Sequence, residues 1–314
     1  MSGFKKITQE GEKFIKHICD INGMNLLTGK NKYKLPFSDS PYSTQTWMCT
    51  IKNPLSNGNI TNGSELAQAL IFWFNKYSEI YGLNANVIAA QAYVESGYRM
   101  WNYAGGDSTA SGINQFTMTT TFGIIVKNIY DTVPKFTDSE INIITNGLTE
   151  PSLESSYIVG QNTSEYHSDT YNIAWANHSI LHQNIINNPD LMIKAQCRYM
   201  KYISDKCNSL ASTTLFGYSR GPNIIPSIKL SKKTPSTYSE AINYCKQNKG
   251  SAYLDEGVSY VLRTFAVLGD KNNTLSSGKQ NESKGYSFGY DNILKLNEPY
   301  DSFTSNTVES NKYD

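Results

Sequence analysis

Three features of the 314-residue sequence predict a mainly α-helical protein. Apolar residues recur at helical spacing in several stretches, most of those stretches are bounded by residues that start or stop helices, and period-two strand patterns are few. The length allows one large domain or two ordinary ones. No internal repeat is visible.

Residues 1–63 read as an N-terminal appendage, with a short amphipathic helix from about Ile7 to Ile21 and then a loop-rich stretch holding Pro36, Pro41 and Pro54. Composition shifts at Asn62-Gly63-Ser64-Glu65, where Asn62 is a helix cap and Glu65 its capping-box partner. The helix that follows places Leu70, Trp73, Phe74, Tyr77 and Ile80 on one face, and Gly82 stops it. Asn84 caps the next helix, which runs to about Ser96. Residues 97–117, rich in Gly, Ser and Asn, form a functional loop. Phe122 to Tyr130 is predicted helical, and Thr137 with Glu140 makes a second capping box for a short helix ended by Gly147.

Residues 148–168 are polar and irregular, and a moderate helix is expected over 170–187. Asn188-Pro189-Asp190 combines a cap, a proline at the first helical position and an acid at the positive end of the dipole, opening a helix to about Leu210. Val258, Val261, Leu262, Phe265 and Leu268 mark a last amphipathic helix closed by Gly269. Beyond Asp270 the periodicity ends, and 271–314 read as a polar tail, mobile or ordered only against a partner.

Composition excludes several classes of function. With 28 basic and 27 acidic residues the net charge is +1, which gives no electrostatic basis for capturing nucleic acid or anionic lipid. Five scattered cysteines without a CxxC argue against a disulfide framework and a zinc ribbon. No stretch approaches the ~20 apolar residues of a membrane span. The first twenty residues lack the apolar core of a signal peptide, so the expectation is a chain made without its own export signal. The 22 tyrosines suit sugar binding, but only weakly, since biased coding gives the same excess.

Chemistry centres on Glu95. It follows Val87-Ile88-Ala89-Ala90-Gln91-Ala92 and shares a helical face with Ile88, Gln91 and Ala92, ahead of a loop whose glycines permit close approach of a ligand. A carboxyl placed so should have a raised pKa, as a general acid working near neutral pH requires. On its own, a Glu at this place reads first as an exposed helix-end surface residue.

The segments "VIAAQAYVESGYR" and "ASGINQFTMTT" resemble the Glu-Ser and Gly-Leu-Met-Gln signatures of the lytic transglycosylase and goose-type lysozyme superfamily. Residues 187–207 resemble the family's helix after an Asn- or Asp-Pro start. "FGYSRGPN" (216–223) resembles its Ala-Tyr-Asn-Ala-Gly-Pro motif, and "GVSYVLRTFAVLG" (257–269) its closing helix. These segments stand in the family's order, and the resemblance covers about 65–270.

The resemblance implies a lysozyme-like domain over 64–270, with Glu95 as catalytic acid/base. Gln115 would bind the saccharide or order the cleft, and Tyr218 would bring its hydroxyl near Glu95. Ser111 would have a lining role and Tyr260 would close the far wall; Trp101 is either a core ring or a sugar platform. Three departures stand out: Asn114 replaces the family's methionine, Ser219-Arg220 replaces its Asn-Ala, and an insertion runs over about 131–187.

The implied reaction cleaves the β-1,4 bond between N-acetylmuramic acid and N-acetylglucosamine, without cofactor. A lytic transglycosylase uses one carboxylate twice, as acid and then as base toward the sugar's own 6-hydroxyl, giving a 1,6-anhydro product. The alternative is a hydrolytic muramidase with Asp107 as second carboxylate, a route that requires a separation of about 6.5–9.5 Å. A third reading is an inactive structural virion protein on the same fold. Peptidoglycan lies outside the cytoplasm, so the expected setting is a bacteriophage, as a virion or tail component or as an endolysin. The segments 1–63, 131–187 and 271–314 would then contact other virion proteins.

Competing constellations are weaker. His178 and His182 are spaced i, i+4, but lack the glutamate of HExxH and a third ligand, so paired surface or packing histidines are expected and no metal. No GxSxG elbow supports a hydrolase triad. Trp47 and Trp175 read as core or interface rings.

Overall fold

The computed structural model describes residues 4–33, 43–103, 110–127, 130–148, 179–206, 211–221, 251–269 and 277–289. Among them the chain is mainly helical. In order it forms α1 (Gln9–Asn22), a 3₁₀ turn (Gly23–Leu26), β1 (Thr28–Tyr33), β2 (Ser43–Met48), α2 (Gly63–Tyr81) and α3 (Ala85–Ser96). Then come α4 (Met118–Thr121), running into a π turn (Phe122–Val126), α5 (Asp138–Thr145) and a helical stretch over 179–187, here α6. The last elements are α7 (Pro189–Lys206), α8 (Ala211–Arg220), α9 (Ser251–Leu268) and α10 (Ser277–Ser283).

Caps explain most of these boundaries. Asn62 Oδ1 accepts the Glu65 amide at 2.9 Å, while Glu65 reaches back to the Thr61 amide at 2.7 Å. This is a capping box displaced by one residue. Asn84 Oδ1 accepts the Asn86 amide at 3.0 Å and starts α3. The Thr137/Glu140 box is complete in both directions, and Asn146 takes the left-handed cap conformation (φ 48°) ahead of Gly147. Proline opens α7 as expected, and Asp190 behind it is half-buried. Burial pushes its pKa up, against the Leu191 amide and Lys76, which pull it down. On α2 the apolar face turns from Ile80, which is 48% exposed, to Tyr81, which is buried. Tyr81, eleven residues beyond Leu70, lies almost directly above it after about three helical turns, whereas Ile80 falls short of that alignment.

The chain divides into two compact units. The first comprises Met1–His17, Ser78–Val94 and Cys197–Asp314; the second comprises Ile18–Tyr77 and Glu95–Gln196. The division thus does not run at residue 63, and the described part of 1–63 is shared between the two.

In the first unit, α1 and α3 meet through an edge-on pair, Phe14 and Tyr93, with centroids 5.0 Å apart. The buried Asn86 amide ties the N-terminal strand of chain to α3. Its Oδ1 accepts from the Thr8 amide (2.9 Å) and its Nδ2 donates to the Lys6 carbonyl (3.0 Å). Helices α8 and α9 pack where Gly257 leaves no room for a side chain, since a Cβ there would stand 2.5 Å from the Phe216 ring. The tail expected to be mobile, or ordered only against a partner, is ordered by this chain itself over 277–289. Phe288 is fully buried against Phe14 at 5.1 Å, and its amide donates to the Val267 carbonyl at 3.1 Å. One aromatic ring in a polar run gives no periodicity to read, yet it fixes the segment.

In the second unit, β1 and β2 form an antiparallel hairpin pairing Gly29 with Trp47 and Asn31 with Gln45. The 3₁₀ turn ahead of the hairpin meets the segment after α3, where the Met100 amide donates to the Leu26 carbonyl at 2.9 Å. Lys194 of α7, only 8% exposed, holds Glu140 of α5 through both carboxylate oxygens at 2.7 Å and lies over the Phe136 ring. No helix among the described residues is long and apolar enough to cross a membrane.

Candidate active site

Glu95 is the penultimate residue of α3 and is partly exposed, whereas Gln91 and Ala92 on the preceding turn are fully buried. The helix stops abruptly after Ser96. Gly97 and Tyr98 both adopt left-handed backbone (φ 64° and 61°), so the chain turns away within two residues. For glycine this is unstrained. For Tyr98, whose ring is fully buried and 6.2 Å from Phe74, it costs about 1–2 kcal/mol, which the surrounding packing must offset.

The turn is fastened to the loop that follows it in sequence. Ser96 Oγ, buried, donates to the Ile113 carbonyl at 2.8 Å. The segments 93–99 and 110–116 are thereby joined side by side at the end of α3. The second of them closes on itself: the Ser111 amide donates to Phe116 O (3.0 Å) and the Gly112 amide to Asn102 O (2.8 Å). Gln115, the other non-glycine residue here with left-handed backbone (φ 50°), donates its Nε2 to Gly112 O (2.8 Å) and Asn102 O (3.3 Å). Of the two roles expected for Gln115, these bonds serve the ordering of the loop. Backbone strain at Tyr98 and Gln115 thus brackets the segment that Ser96 holds.

Ser111 is fully buried, 3.0 Å from His182 Nδ1 on α6. The imidazole also meets Trp47 edge-on at 4.4 Å and Tyr103 at 4.7 Å. Burial pushes the His182 pKa down to about 3, against the Trp101 main chain, which works to raise it. His182 is therefore a neutral packing residue, as one of the sequence expectations had it; His178 lies outside the described residues. Gly112 is needed beside it, for a Cβ there would stand 2.8 Å from Ile185 with the backbone at φ 71°. Asn114 is fully buried and donates to the Met192 carbonyl at 2.7 Å. It anchors the loop to α7.

Trp101 is half-buried. Its Nε1 donates to the Asn25 carbonyl at 2.7 Å, and its ring lies on Gly29 so closely that a Cβ there would come within 2.0 Å. The ring is thus fixed by the hairpin strand and the turn before it. Asp107 lies outside the described residues.

The remaining residues of the expected site belong to the first unit. Tyr218 of α8 and Tyr260 of α9 stack with centroids 6.2 Å apart and planes 9° from parallel, and Tyr199 of α7 adds a third ring 5.3 Å from Tyr218. All three are buried to 9% exposure or less. The structure so brings Ser96, Trp101, Ser111 and Gln115 into one unit with Glu95, and Tyr218 with Tyr260 into the other.

Comparison with protein-family models, with curated proteins and with solved structures finds no match. Among the described residues no group of three or more metal-binding side chains occurs. Sequence reasoning missed Ser96 and His182 as the residues that hold the loop. The first was visible as a hydroxyl at a helix end, but its acceptor was not. The second was visible only as one member of an i, i+4 pair.

Proposed function

We propose that this protein cleaves peptidoglycan glycan strands at the β-1,4 bond between N-acetylmuramic acid and N-acetylglucosamine, as a lytic transglycosylase with Glu95 as acid and then base. The observation that carries the reading is the buried Ser96–Ile113 hydrogen bond. It sets against each other the two segments whose sequences resemble the family's glutamate and glutamine motifs. A helix-end carboxylate that were merely surface would have no use for a strained, doubly fastened loop beside it. Strain of this kind concentrates at functional sites.

In the proposed reaction the Glu95 carboxylic acid protonates the glycosidic oxygen as the C1–O bond breaks, and charge develops at C1. The resulting carboxylate takes the proton of the muramic acid 6-hydroxyl as that oxygen bonds to C1, which regenerates the acid and leaves a 1,6-anhydro end. No water is consumed. The partly exposed position of Glu95 suits a group that must reach a polymer while still attached to an ordered helix.

The proposed setting is a bacteriophage particle or lysis system, tested by mass spectrometry of purified virions. The chemistry is tested by muropeptide analysis of digested sacculi. Anhydro-muropeptides support the transglycosylase. Reducing ends, together with loss of activity in Asp107→Asn, replace it by the hydrolase. No release by the wild-type protein near neutral pH favours a structural role.

A further inference from the structure

The α10 segment, in a stretch whose sequence reads as tail, reaches the helix that carries Glu95. Lys279 Nζ donates to the Tyr93 carbonyl at 2.9 Å and also to the Val94 carbonyl. These are two of the last four carbonyls of α3, the ones a helix cannot satisfy from within. A cation is favoured there both as a donor and by the helix dipole. The ammonium also lies 5.3 Å from the Tyr93 ring centroid, and the Tyr93 hydroxyl donates to Glu282 Oε2 at 2.9 Å.

Four further contacts hold the segment in place. Phe288 fills the space over Gly11, where a Cβ would come within 2.5 Å of its ring. The Thr8 hydroxyl donates to the Phe288 carbonyl at 3.0 Å. Tyr286 stacks on His17 at 4.4 Å, while His17 Nε2 lies 3.1 Å from the Glu282 carbonyl. A segment serving only to cover apolar surface needs Phe288. It does not need an ammonium aimed at two carbonyls at the end of one helix.

We infer that Lys279 is a positioning residue for Glu95 and that residues 277–289 are a clasp required for full activity. The inference rests on Glu95 being the acid. Lys279 fixes the carbonyls of the two residues that precede Glu95, so it limits how far the last turn of α3 frays. Displacement of a reacting group by about 1 Å can cost on the order of 100-fold in rate. The ordering of this turn is therefore a kinetic matter as well as a structural one.

The test compares wild type, Lys279→Met, Lys279→Arg and Glu95→Gln in the full chain. It reads kcat and KM on solubilised glycan strands, together with hydrogen exchange over residues 93–101. The expected result is a fall in kcat of tenfold or more for Lys279→Met with KM within twofold, faster exchange at 95–98, and recovery of most of kcat in Lys279→Arg. If Lys279→Met is unfolded at the assay temperature, Lys279→Gln takes its place. A kcat within twofold of wild type, or unchanged exchange at 95–98, overturns the inference. Full activity in Glu95→Gln overturns instead the assignment of the acid, and the exchange measurement then decides the clasp by itself.

Discussion

The Ser96 hydroxyl donates to the Ile113 carbonyl at 2.8 Å, fully inside the protein, and that bond fixes the end of α3 to the Gly-Ile-Asn-Gln loop. Seventeen residues separate the partners in sequence, and between them lie both the strained Tyr98 and the half-buried Trp101. Everything proposed for Glu95 depends on this junction. Replacing Ser96 by Ala leaves a buried carbonyl without this donor and should cost about 1–3 kcal/mol. Urea unfolding measures the loss. Glycan release should fall further than stability alone accounts for, at temperatures where the variant remains folded.

Gly112→Ala tests the loop from the other side. The backbone there is left-handed and Ile185 stands where the methyl group would go, so a loss of at least about 1–2 kcal/mol is expected from the conformation alone. Thermal unfolding of this variant against Gly147→Ala, which meets nothing within 4 Å at a similar φ, separates strain from collision.

Acid should destabilise the protein in two steps. His182 is held neutral by burial, with a pKa of about 3 against an ordinary 6.5. The unfolded chain therefore binds a proton that the folded one refuses, and stability falls as pH drops from about 6.5 toward 3. For Glu140, burial works to raise the pKa, but the Lys194 and Thr137 hydrogen bonds prevail and hold it below its ordinary 4.5. Its contribution is present above that pH and lost beneath it. Unfolding free energy measured from pH 7.5 to 3.5 should fall less steeply between 6.5 and 5 in His182→Asn. Glu140→Gln should change the slope only below about 4.5.

Cysteine accessibility gives a fourth check. Burial pushes the thiols of Cys19, Cys49 and Cys197 up, the last to about 12. All three are free and buried, and the thiolate is the reactive form. Titration of the native protein with a disulfide reagent should leave these three unmodified until denaturant is added, as mapped by mass spectrometry.

What the sequence made legible was local. The Thr137/Glu140 box, the Asn84 cap and the Asn188-Pro189 start each depend on residues within four positions of one another, and each recurs in the structure. The hairpin Thr28–Tyr33 with Ser43–Met48 was not legible, because strand pairing is decided by a partner and Gly29 owes its place to a ring 72 positions away. Phe288 lies in a run with no apolar period, and its burial comes from Phe14 at the other end of the chain. At the site, Glu95 and the loop stood out by composition and resemblance. Ser96, Asn114 and His182 did not, since their roles are hydrogen bonds to partners that only the fold supplies.

The central claim is that Glu95 is the proton donor. It is tested most directly by digesting purified sacculi with wild type and Glu95→Gln, a substitution that keeps the shape of the side chain and removes its acidity. The account predicts soluble anhydro-muropeptides from wild type and a loss of at least about 1,000-fold in the variant, the scale on which general acid catalysis operates, with thermal stability unchanged. Equal release of muropeptides by the two proteins would contradict it.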